Sequence, residues 1–154
     1  MLNSQRVVGL LVALLVVLVP AMSAQGQSGL ETVVNRHIAA QERLVDTIGT
    51  RMVTTCERTV LTIQRLDARN VANARITPVG QRGLTTIDQL ATRNTVSIER
   101  RTAALLNRLR RQNADQALVD RVNAALEADR TELAARQAET KAPIVAAVET
   151  ATSN

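Results

Sequence analysis

Apolar positions along the chain fall into one solid block followed by three stripes. The block is Val7 to Val19, broken only by Gly9 and closed by Pro20. A short leader with one positive charge, Arg6, precedes it, and Ala21-Met22-Ser23-Ala24 follows. This is the three-part layout of a secretory signal peptide, with cleavage expected near 21–24. As a helix the apolar stretch from Val7 to Met22 spans about 24 Å, short of a ~30 Å hydrocarbon core, which favours cleavage over anchoring. No cysteine lies near the cleavage region, and Gln5-Arg6 is not a twin-arginine pair, so general secretion is expected. Residues 1–24 are read as the signal segment and 25–154 as a single helical domain.

The first stripe contains Leu30, Val34, Ile38, Val45, Ile48, Met52, Cys56, Val60, Ile63, Leu66 and Val71. Its steps of three, four and seven match one helix face. Ser28 and Glu31 have capping-box spacing, and no proline intervenes before Pro78, so a helix over about 28–76 is expected. Thr77-Pro78-Val79-Gly80 and Gly83 read as the main chain break. A second stripe, Leu84, Ile87, Ala91, Ile98, Leu105 and Leu109, predicts a helix over 84–111. Thr85 and Asp88 repeat the cap spacing, and Asn94 sits near the seam, where a polar residue can fix helix register. Gln112-Asn113-Ala114-Asp115 reads as the second break, with Asn113 as the cap. A third helix over 114–141 carries Leu118, Val122, Leu126 and Leu133, and Pro143 opens a possible short helix over 143–150.

These narrow stripes predict an all-α fold: an elongated antiparallel helical hairpin or a three-helix bundle with coiled-coil character. Composition supports slim packing. The chain has no Phe, Tyr or Trp, so its core must be aliphatic. The same absence removes stacking platforms for single-stranded nucleic acid and aromatic cages for quaternary ammonium groups.

Charge changes the picture further. The net charge is +5, or +4 without Arg6, and 18 of the 19 basic residues are arginine. Arg93, Arg100, Arg101, Arg108, Arg110 and Arg111 face only Glu99 within residues 93–111, whereas residues 112–154 are net acidic. An antiparallel third helix is expected to neutralise part of this cluster. Arg36, Arg43, Arg51, Arg58 and Arg65 step by seven or eight along the first helix. Such rows fit anionic polymers, acidic protein clients or lipid headgroups, and equally the flanks of a coiled-coil seam.

Catalytic chemistry is sparse. Cys56 is the only thiol and lies on the first apolar stripe, as a small buried hydrophobe or as a candidate for an intermolecular disulfide. His37, the only imidazole, is 19 residues from Cys56, about 28 Å along one helix, too far for a nucleophile pair. The acids of the third helix read as a solvated face. Phosphate loops, nucleophile elbows and zinc-protease motifs are absent from the sequence. No catalytic residue, cofactor or metal site is assigned. Leu84-Thr85-Thr86-Ile87-Asp88-Gln89 sets glutamine one residue later than the Leu-Thr-x-x-Gln motif of Spy-like periplasmic chaperones, so only a chaperone analogy remains. The sequence thus points to a secreted or periplasmic, non-enzymatic interaction or scaffold protein that self-associates. The alternatives are a holdase-like chaperone for protein clients, or a binder of anionic envelope polymers. Secretion argues against nucleic acid as a partner. Membrane contact is expected only through the signal segment or anionic headgroups.

Overall fold

A computed structural model describes the backbone of residues 4–153 and the side chains of residues 26–153. The signal segment 1–24, with its cleavage region, lies outside the residues whose side chains are described. Three helices, α1 (Ser4–Asp67), α2 (Asn73–Arg111) and α3 (Gln116–Thr152), form a three-helix bundle in which each packs on the other two. The two connections are short, so α2 runs antiparallel to its neighbours and α1 lies parallel to α3.

Both turns are built the same way. Asn70 and Asn113 adopt left-handed backbone angles, with φ of 53° and 48°. Val71 N–H donates to Leu66 C=O and Asn70 N–H to Asp67 C=O, at 3.1 and 2.8 Å. Ala114 and Asn113 repeat this pattern to Leu109 and Arg110, at 3.0 and 3.2 Å. These are Schellman caps, in which one left-handed residue satisfies the last carbonyls and turns the chain out of the helix. Asparagine suits the position because its short polar side chain tolerates left-handed angles. Asp115 then caps α3, its Oδ1 accepting from Ala117 N–H at 3.2 Å.

The first turn therefore lies at 68–72, not at 77–83, and α1 ends nine residues before the expected 76. Pro78, Gly80 and Gly83 all lie inside α2. Pro78 is exposed, and the buried Ile76, Gly80, Gly83 and Ile87 hold α2 against its partners on both sides of it. That packing offsets a proline cost of about 3 kcal/mol. Gly80 lies on Val148 of α3 and Gly83 on Thr59 of α1, so these glycines permit close helix approach rather than a turn. Pro143 likewise falls within α3, which continues to Thr152 with Ile144 and Ala151 buried, instead of ending at 141 and restarting at 143. Ser28 and Thr85 are also within helices and start neither. Asn113 is the left-handed residue of the second turn, and the cap of α3 is Asp115.

The core has two parts. The larger contains Val45, Ile48, Met52, Ile63, Ile87, Ile98, Leu133 and Ile144; the smaller, near the α2–α3 turn, contains Leu30, Val34, Leu105, Leu109, Leu118 and Val122. Fully burying each branched side chain contributes about 1.5–3 kcal/mol. Asn94 makes no cross-helix hydrogen bond among the described residues, its amide donating to Leu90 C=O one turn back, so it gives the register no such support.

Candidate functional site

The side chains with chemical potential are dispersed, and the arginines alone form an extended array. Cys56 is buried in the core, where burial and the nearby Glu57 push its thiol pKa up. A buried, protonated thiol is poorly placed for a disulfide between chains, so the intermolecular bridge expected as one possibility is not favoured. His37 is half-buried, and α1 is continuous from it through Gly49 to Cys56, which keeps the two apart. Burial and the positive charge of Arg101 lower the His37 pKa. Among the described residues, no three His, Cys, Asp or Glu side chains are grouped as metal ligands. Among the described residues, the depressions lined by Thr77 and Gln89, by Gly29 and Arg108, and by Thr55 and Thr86 are open grooves.

Ion pairing divides the surface sharply. Among the described residues, every ion pair takes its cation from α3. Arg121 pairs with Glu31, Arg130 with Glu99 and Glu127, Arg136 with Asp46 and Glu132, and Lys141 with Asp88. Lys141 Nζ and Gln137 Nε2 both donate to Asp88, and these hydrogen bonds hold its carboxyl below the usual aspartate range. The basic groups of α3 thus reach the acids of α1 and α2, the reverse of the neutralisation expected from the sequence. The arginines of α2 keep no carboxylate partner. Arg108 and Arg111 make only local bonds, to Oε1 of Gln112 just beyond the helix and to Asn107 C=O.

These unpaired arginines are arranged in rows. On α2, Arg75, Arg82, Arg93, Arg100 and Arg111 step by 7, 11, 7 and 11 residues. At 3.6 residues per turn all five return to within about 20° of one line. The row on α1 is Arg36, Arg43, Arg51, Arg58 and Arg65, and all ten residues are exposed. Two cross-helix contacts, Thr59 with Gly83 and Gln41 with Thr102, fix the antiparallel register of α1 and α2. In that register Arg43 falls opposite Arg100, Arg51 opposite Arg93, Arg58 opposite Arg82 and Arg65 opposite Arg75, while Arg36 falls opposite Arg108. Arg58 and Arg82 line one shallow groove with Thr55, Thr59, Thr62 and Thr86. From Arg36 to Arg65 the double row extends about 44 Å at 1.5 Å per residue.

The six arginines singled out in the sequence are all exposed on α2 and point at different angles around it. Arg93, Arg100 and Arg111 belong to the row. Arg101 lies on the α1 side beside His37, and Arg108 lines a groove with Gly29 and Leu30. Arg110 turns toward the α3 side by helical angle. Arg75 and Arg82 belong to the array but fall outside the cluster of 93–111. Comparison of the chain with family models, curated proteins and solved structures gave no match in any of the three.

Proposed function

We propose that this protein is a non-enzymatic extracytoplasmic protein that binds extended anionic polymers of the cell envelope along the face shared by α1 and α2. The observation that carries the reading is the double arginine row, exposed and without carboxylate partners while all the basic groups of α3 are paired. Guanidinium groups bind carboxylate, sulfate and phosphate through paired N–H donors, and a long row suits a repeating ligand better than a single small anion. In this reading the signal segment 1–24 takes the chain across the membrane, and the narrow aliphatic seams act as coiled-coil packing that keeps the two rows parallel.

Self-association and client holding stand second. Either would draw on exposed apolar surface, and the exposed large hydrophobics are Val53, Leu61, Val96 and Val145, spread over three helices. The test is binding of the purified protein to a carboxylated or sulfated polysaccharide across a salt series. Tight binding at low salt, weakening steeply as salt rises, supports the proposal. Absence of binding at low salt, or binding indifferent to salt, overturns it. Sedimentation of the free protein in the same buffers reads self-association separately.

A further inference from the structure

The two parts of the core are separated by a polar layer. Gln41 on α1, Thr102 on α2 and Asp129 on α3 are buried, with exposures of 3%, 0% and 6%. Gln41 Nε2 donates to Thr102 Oγ1 at 2.7 Å, and His37 Nε2 lies 3.5 Å from the same hydroxyl. Two buried oxygens, Gln41 Oε1 and Asp129 Oδ2, have no partner. Helices α1 and α3 are parallel, with contacts between residues 86 and 90 apart, from Asn35 to Arg121 and from Asp46 to Arg136. Asp129 is 88 residues beyond Gln41, so the register places both orphaned oxygens at one level of the bundle.

Two buried acceptor oxygens at one level of the bundle are each costly without a hydrogen to accept. We infer that Asp129 is neutral in the folded bundle and donates its carboxyl hydrogen to Gln41 Oε1, completing a hydrogen-bond chain that runs from Asp129 through Gln41 and Thr102 to His37. Each hydrogen is then used once. Asp129 O–H serves Gln41 Oε1, Gln41 N–H serves Thr102 Oγ1, and the Thr102 hydroxyl serves Nε2 of a neutral His37. The chain crosses all three helices and closes only in the native register.

The charges around the layer favour this state. Glu42 on α1 and Glu132 on α3 add negative charge beside Asp129, and burial and these two groups push its carboxyl pKa up. On α2, Arg101 disfavours protonation of His37, and Glu99 is already neutralised by Arg130. The opposite chain polarity has the Gln41 amide turned over and donating to an ionised Asp129, and it is the competing outcome.

The test is a carboxyl-carbon NMR titration of the intact protein together with unfolding of Asp129→Asn. Asparagine keeps a donor for Gln41 Oε1 and has no proton to lose. A raised folded pKa gives Asp129 a stabilising contribution that is complete below the unfolded value and is lost as pH rises through the folded one. The unfolding constant of the parent, divided by that of Asp129→Asn, is therefore expected to rise with pH above about 4, by up to roughly tenfold per pH unit, before levelling. The Asp129 carboxyl carbon should titrate with a midpoint above the ordinary aspartate value. A titration midpoint at or below the ordinary aspartate value, or a ratio independent of pH, overturns the inference. The NMR reading stands even if the variant does not fold.

Discussion

Gly83 of α2 lies so close to Thr59 of α1 that a β-carbon on the glycine would meet the threonine methyl and hydroxyl at 2.6 Å. The threonine is held in place by its own bond, Oγ1 donating to Thr55 C=O at 2.8 Å. Gly83→Ala is therefore expected to destabilise the bundle by about 1–3 kcal/mol through overpacking, although alanine is the better helix former. Adding Thr59→Ala should recover most of that loss. A double-mutant cycle from chemical denaturation followed by circular dichroism measures the coupling, and additive effects would count against the contact.

The asparagines at the two turns give a second pair of variants. Asn113→Gly should hold or raise stability, because glycine reaches the left-handed region without strain. Asn113→Ala should lower it by about 1–2 kcal/mol. The same order is expected at Asn70. Thermal midpoints of the four variants check both turns, and equal behaviour of glycine and alanine would contradict the left-handed geometry.

His37 makes stability fall on the acid side of neutrality. Its folded pKa is lowered, so its contribution is complete above the unfolded value near 6.5 and is lost as pH falls through the folded value. His37→Gln should remove this part of the acid-side loss in thermal midpoint between about pH 7 and 5. Arg101→Gln should reduce the acid sensitivity without abolishing it, since burial is the larger cause. Removal of the sensitivity by Arg101→Gln alone would mean that charge, not burial, dominates.

Cys56 should resist modification in the native protein. Alkylation by iodoacetamide is expected to be slow at pH 8, limited by opening of the bundle, and fast in denaturant. Equal rates in the two conditions would contradict its burial.

The arginine rows predict where substitutions affect polymer binding. Arg58→Ala with Arg82→Ala should weaken binding and reduce its salt dependence. Glu139→Gln on α3, an exposed acid in no ion pair, should change it little beyond its unit of charge. Direct titration with labelled polysaccharide distinguishes them, and equal losses from both would remove the α1–α2 face from the proposal.

Much of the helix pattern was legible in the sequence, because stripe spacing depends only on helix geometry. The turn at 112–115 was marked by its polar residues, whereas the first turn was hidden. Pro78, Gly80 and Gly83 carry the usual signals of a break, and their place inside α2 depends on Thr59 and Val148, which lie far away in the chain. Asn70 held the better signal, an asparagine followed by an apolar residue that folds back toward Leu66. The polar layer was visible only as gaps. Gln41 lies between Ile38 and Val45, Thr102 between Ile98 and Leu105, and Asp129 between Leu126 and Leu133. Nothing short of the helix register shows that the three gaps coincide. The arginine row on α2 was split by the misplaced break, and its lack of partners follows from how far the α3 side chains reach.

The aliphatic core has a spectroscopic consequence. With no Phe, Tyr or Trp, methyl resonances lack the large ring-current shifts of those residues, and the protein lacks tyrosine and tryptophan emission. A narrow methyl spectrum from this bundle is therefore compatible with rigid packing and is no sign of a molten state. Order has to be judged by hydrogen-exchange protection, while a fluorescent ligand can be followed against a dark protein.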